Sequence, residues 1–335
     1  MSERGRYAAT PSATPMRRRL LALVLLAPPA LSQSLPEVDR ARLAEAFRLA
    51  DTVGDSLWVG WSEVPFAVLL VAGEHEFLVR HPRPDTSFAL ADAYDGLLQS
   101  PVYVRPRQFE SDLLAAFPAV GGLATVVVGT AEQTGLGSTA WALTLLHEHF
   151  HQLQTSQPGY PDAIDALDLA GGDATGMWML DYPFPYASEE VGERFMAYRR
   201  ALLAALADPT EAALLNVRQT RAALYEALSD RDGRYLAFQV WQEGVARYVE
   251  VRAAEASGEP LPAFRALPDA EPYAVAAADL REQVVNQVRG LDLAGSRRSI
   301  VYPVGAAEAL LLDATRPGWR ARYLAEPFDL GRYAE

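Results

Sequence analysis

Ala140-Trp141-Ala142-Leu143-Thr144-Leu145-Leu146-His147-Glu148-His149-Phe150-His151 runs from an apolar stretch straight into a polar cluster. The apolar part reads as a buried helix, and the cluster continues it. On a helix, positions i and i+4 stand one above the other on the same face. His147 and His151 therefore aim two imidazoles at one point, as a zinc ion with Zn–N bonds of about 2.0–2.1 Å requires. Glu148 lies about 100° round the helix from His147. It flanks the metal without having to ligate it, and is placed to take a proton from a water there. The competing reading is a polar helix end with satisfied histidines. The apolar lead-in opposes it, because buried imidazoles and a buried carboxylate need partners. Three of the chain's five histidines fall in this pentapeptide, so H-E-x-x-H is a specific signal in this composition.

Just upstream, Leu123–Val128 (LATVVV) is the clearest strand in the chain. It leads through a Gly-rich loop, residues 129–137, to Ser138 or Thr139 as N-cap of the helix. Farther upstream, residues 36–57 carry helical spacing, with Val38, Leu43, Ala46, Phe47, Leu49 and Ala50 recurring at three and four. Residues 64–72 (VPFAVLLVA) and 77–80 flank Gly73-Glu74-His75-Glu76 and read as a hairpin. His75 and His81 lie on or beside it, with surface or loop histidine as their default reading. Residues 101–106 form a short strand, and 108–117 read as a helix.

Downstream, residues 156–187 are loop-like. Their aromatic, Pro-punctuated cluster from Trp178 to Tyr186 either packs over a core or walls a cleft, with packing favoured. Two amphipathic helices follow, over 189–206 and 210–228. The next helix, 235–254, holds Trp241-Gln242-Glu243-Gly244-Val245-Ala246-Arg247-Tyr248-Val249-Glu250. Glu243 lies in an otherwise apolar stretch, where a carboxylate needs a cation or strong donors. Zinc satisfies that need; an arginine such as Arg247 is the alternative. Gly244 costs about 1 kcal/mol in a helix interior. It makes sense if the backbone passes close to another helix, expected here to be the one bearing His147.

The chain has 335 residues, half of them hydrophobic, enough for a sizeable core as one large domain or two packed lobes. Its net charge of −13 makes nucleic acid and anionic membrane poor partners. Every basic residue is Arg, to which no function attaches. With no cysteine, disulfides, Cys-ligated zinc, thiol nucleophiles and lipid-modified cysteine are excluded. Any zinc is then held by His and carboxylate, which favours a catalytic over a structural site.

Residues 1–32 read as a secretory signal peptide, with translation from Met16 as an alternative start. Arg17-Arg18-Arg19 is the basic region, residues 20–27 the apolar region, and Ala30-Leu31-Ser32 the cleavage signal. The apolar run is too short to span a bilayer, although an uncleaved anchor is the competing reading. Losing this segment removes four net positive charges and takes −13 to about −17. The expectation is an exported protein, secreted or periplasmic in a bacterium, with no stable membrane insertion after cleavage.

H-E-x-x-H followed by E-G-x-A-x-Y-x-E on a second helix resembles the gluzincin metallopeptidases. It is most similar to the catalytic domain of the zinc aminopeptidases and the related peptidase MA-like domains. The resemblance covers residues 120–155 and 235–315. It implies an α+β, predominantly helical fold. A zincin-like upper lobe (33–155) would carry a small mixed sheet and the active-site helix, and a helical lobe (156–335) the Glu ligand. It implies a Zn2+ ion on His147, His151 and Glu243, with Glu148 as general base and Glu250 as a partner behind the ligands. Tyr302, from Tyr302-Pro303-Val304-Gly305 at the start of another helix, would donate to the oxyanion, with Tyr248 and His149 as rivals. An edge strand would hold an extended peptide; Leu123–Val128 is either that edge or a central strand. The chain departs from the family in three ways. The motifs are 91 residues apart between His151 and Glu243, Trp241 stands two residues before Glu243, not three, and no G-x-M-E-N-type exopeptidase sequence precedes the helix. The expected function is an exported zinc hydrolase, with a peptide or protein as substrate. The alternatives are a non-catalytic binding domain on the same scaffold and a zinc hydrolase of a non-peptide amide.

Overall fold

Strands β1 (Val68–Ala72) and β2 (His75–Val79) form the expected hairpin, closed by Gly73-Glu74 with Gly73 at φ +59°, a value that costs glycine nothing. The computed structural model describes residues 34–334; the signal segment and the alternative start at Met16 lie outside them. The described chain is α+β, predominantly helical, with one small mixed sheet. Its other strands are β3 (Ala89–Asp95), β4 (Ser100–Pro106), β5 (Leu114–Val120) and β6 (Leu123–Gly129), in the order β3-β4-β2-β1-β6-β5. β1 and β6 run parallel, with Val68 opposite Val126 and Val71 opposite Gly129; the remaining pairs are antiparallel.

Both faces of the sheet are covered, which explains apolar runs in place of alternation. Val68, Leu70, Val126 and Val128 face the main helical core, whereas Leu69, Val71 and Val127 face a smaller cluster with Phe109 and Phe117. This corrects one expectation. Residues 108–117 are not a helix: they are a loop followed by most of β5. Phe109, Leu113 and Phe117 recur every four residues because all three pack on that second face. β6 is not an edge strand, because β5 lies outside it. His81 is a loop residue, as one of its two readings has it, but not a surface one: its ring is buried, with Nε2 3.3 Å from the Val120 carbonyl oxygen. β3 was not anticipated.

Eight helices reach ten residues or more among the described residues: α1 (Glu37–Leu57), α2 (Ser138–Thr155), α3 (Glu189–Ala207), α4 (Glu211–Glu226), α5 (Asp230–Gln239), α6 (Val245–Ala256), α7 (Tyr273–Gly290) and α8 (Val301–Thr315). α6 is the hub, packing on α1, α2, α7 and α8. Gly137, not Ser138 or Thr139, is the N-cap of α2; the Ser138 side chain instead bonds Asp269 and Arg42. Trp178, Tyr182 and Phe184 pack inward, Trp178 on Phe238 and Tyr182 on Tyr235, as the packing reading of the aromatic cluster requires. No helix among the described residues is long and apolar enough to cross a membrane.

Candidate metal centre

The last turns of α2 bury His147, Glu148, His149 and His151 together. His147 and His151 stand one turn apart, with ring centroids 4.9 Å apart and ring planes at 80°. Both Nε2 atoms face Glu243 Oε2, at 3.6 Å from His147 and 3.4 Å from His151. A tetrahedral ion with bonds of about 2.0–2.1 Å holds its ligand atoms about 3.3–3.4 Å from one another. The one-atom-per-residue group His147, His151 and Glu243 fits within 4.8 Å, as a metal site requires.

The outer partners fix which ring nitrogen is free. His147 Nδ1 lies 2.9 Å from Glu250 Oε1, and His151 Nδ1 lies 2.7 Å from Gln154 Oε1. With each Nδ1–H donating outward, the neutral imidazole, which is the form that ligates a cation, presents its Nε2 lone pair to the shared point. Gln154 also donates to the Gln242 carbonyl at 3.1 Å and to the Tyr323 hydroxyl at 2.6 Å, which ties α2 to the Glu243 turn. The donor chemistry of this cluster therefore fits a divalent cation.

Glu243 comes from an irregular turn. α5 and α6 are one rod interrupted by a π turn, Val240–Gly244, where an unbroken helix over 235–254 is expected from the residues. Such single wide turns recur at functional sites because they turn a side chain out of helical phase. Gly244 does meet a neighbouring helix closely, but the helix is α8 and not α2. A Cβ on Gly244 would stand 2.3 Å from Gly305 Cα. The arginine partner of Glu243 is Arg298, not Arg247, which pairs with Glu250. Arg298 donates to Glu243 Oε1 at 2.8 Å, to the Tyr302 hydroxyl at 2.9 Å, to Gln239 Oε1 at 3.1 Å and to the Met179 carbonyl at 3.2 Å. With Oε1 so held, Oε2 alone faces the imidazoles.

No protein-family model, curated protein or solved structure matches this chain. Its own geometry carries the reading.

Electrostatics follow from burial among charges. Burial alone lowers His147, but the carboxylates of Glu243 and Glu250 outweigh it and push it up to about 10. Burial alone raises Glu243, but the two imidazoles and Arg298 hold it well below the usual range. A proton on His147 and a divalent cation are thus alternatives for neutralising the same carboxylates. Burial raises Glu148, whose carboxylate accepts no hydrogen bond among the described residues. Burial raises Tyr302 to about 12, so its hydroxyl keeps its proton; its ring lies 6.2 Å from His147 at 27°.

The rivals for Tyr302 are placed elsewhere. Tyr248 donates to Asp313, and His149 stacks on Phe66 at 4.0 Å inside the core. Arg298 and Gln154 were missed in the sequence. Gln154 carries a faint signal, three residues after His151 on one helix; Arg298 carries none.

Proposed function

We propose that this chain is a zinc-dependent hydrolase of peptide bonds, with zinc on His147, His151 and Glu243 in a zincin-like arrangement of sheet and helices. The observation that carries it is the convergence of two Nε2 atoms and one carboxylate oxygen, each locked by its own outer partner. Bound zinc would supply Lewis acidity, bringing a water's pKa towards neutral and polarising a carbonyl. Glu148 adjoins the cluster, buried and without a hydrogen bond, so burial raises its proton affinity. Its carboxylate accepts the water's proton and passes it to the leaving amine. Tyr302 accepts a hydrogen bond from Arg298 and so turns its own proton to the developing oxyanion. The signal-like residues 1–32 support export.

Three measurements on the purified protein test this. Wild type is expected to hold about one equivalent of zinc and Glu243→Ala to lose it. Glu148→Gln is expected to keep the metal while turnover falls about 10²–10⁴-fold. Peptides and N-acyl substrates, with and without a chelator, define the bond cleaved. Full activity in Glu148→Gln, or stoichiometric zinc in Glu243→Ala, would overturn the reading.

A further inference from the structure

A cavity of about 420 Å³ lies between α4, α8 and the C-terminal segment, and none of its lining residues belongs to the metal centre. Its floor is aliphatic: Leu214, Val217, Leu311, Leu312 and Leu330 are all buried. Its walls carry four guanidinium groups against two carboxylates, Glu308 and Asp329. Both acids are already engaged by Arg221, with Oδ1 of Asp329 at 2.6 Å and Oε1 of Glu308 at 3.4 Å. Arg316 donates only to backbone carbonyls, those of Thr315 and Ala334. Among the described residues neither Arg218, which is half-buried, nor the exposed Arg332 forms an ion pair with a carboxylate. Among the described residues that line it, basic side chains thus outnumber acidic ones by two, in a chain whose net charge is −13.

An apolar chamber with a few convergent polar groups, within the usual size of a ligand site, is built to take a small molecule. Its volume lies towards the lower end of the range of about 300–1,000 Å³ for ligand pockets, which suits a medium-length acyl chain. We propose that it binds an amphipathic monocarboxylate of medium chain length. The acyl chain lies on the leucine floor, and the carboxylate meets Arg218 at the rim, with Arg332 beside it. Arg221 is not the receptor, because its charge is already met by Asp329 and Glu308, through Nη2 and Nε, with Nη2 also on the Tyr225 hydroxyl at 3.2 Å. The aliphatic floor leaves a polyanion such as a nucleotide with most of its charge unmatched.

The test is calorimetric titration of the full-length protein with decanoate, below its aggregation concentration, beside the neutral alcohol decanol. Saturable one-to-one binding of decanoate is expected, with decanol weaker by about tenfold for want of a charge-assisted contact. Arg218→Glu is expected to weaken decanoate by at least that factor and to leave decanol little changed. Ala222→Trp, at an exposed α4 position on the cavity wall, is expected to weaken both by filling the chamber. The two variants act by different means, one by reversing a charge and the other by filling space, so either remains decisive if the other folds poorly by circular dichroism. The proposal is overturned if decanoate shows no saturable binding, if decanol binds as tightly, or if both folded variants bind decanoate like wild type. None of these outcomes touches the metal centre, so the proposed hydrolase stands or falls separately.

Discussion

Arg298 engages all three of its side-chain nitrogens inside the protein, which marks it as a positioning residue, not a receptor for substrate. It holds one oxygen of Glu243 away from the two imidazoles and donates to the Tyr302 hydroxyl. Arg298→Ala is expected to weaken zinc affinity about 10–100-fold, the usual effect of removing a partner behind a ligand. The visible spectrum of the cobalt-substituted protein should shift as Glu243 gains freedom to bind through both oxygens. Arg298→Lys should restore little, lacking the planar fork. Unchanged affinity and spectrum would refute the role. His149 makes a different prediction. Burial lowers it to about 3, against about 6.5 in an unfolded chain. The unfolded state therefore binds the extra proton, and stability falls as pH drops below 6.5, by at most about 1.4 kcal/mol per pH unit. His147 shifts the other way, and its contribution is fully present below pH 6.5, so it adds no slope there. Between pH 6 and 5 the melting temperature of metal-stripped protein should change with a more negative slope in wild type than in His149→Gln, which isolates the histidine from the carboxyl groups. Equal slopes would contradict this. At this scale the site was legible where it is local. His147 and His151 declare themselves through helical spacing, and Glu243 through an acid in an apolar stretch. Arg298 is 55 residues beyond Glu243, and nothing near it in sequence marks the contact.

The Glu243 rod meets α8 through two facing glycines. A Cβ on Gly244 would come within 2.3 Å of Gly305 Cα and 2.8 Å of the Val301 carbonyl, so α8 has to move to admit it. Gly244→Ala is expected to cost about 3 kcal/mol, the scale of overpacking in a filled core, read as a lower urea midpoint. Gly192→Ala is the control. Nothing lies within 4 Å of its would-be Cβ in α3, so it should be neutral or stabilising by about 0.5–1 kcal/mol. If both variants matched wild type, the helix contact would not be tight. The regular elements were readable: α3 and α4 fall within one or two residues of their periodic patterns. Three features were not. The π turn leaves no mark in composition. β3 (ALADAYD) is mostly exposed, rich in Ala and Asp, and paired only with β4, so neither alternation nor propensity announces it. β5 imitates helical spacing because its aromatics and those of the preceding loop pack on one face.

Across the molecule, the proposed ion would join α2 to the π turn, drawing together parts of the chain far apart in sequence. Ligand that binds only the folded state stabilises by mass action, about 2.7 kcal/mol at a hundredfold excess over Kd. Chelation should lower the melting temperature by about 5 °C or more, and Glu243→Ala should not respond to chelator. A melting curve indifferent to chelation in wild type would count against metal at this site. The general class was legible because a strand leading into a buried helix is local. The strand order was not, since it depends on which edges meet over long separations.

The parallel pairing of β1 with β6 bears on how the chain is made. When the hairpin β1–β2 leaves the ribosome, the edge of β1 that β6 will occupy has no neighbour, and the backbone N–H and C=O groups of residues 68–71 that will pair with β6 are left unmatched along it. It stays open until the whole of β3, β4 and β5 has been synthesised. That interval is when a nascent chain is most prone to pair with another copy of itself. Co-translational protection of this one edge would therefore govern the yield of soluble product.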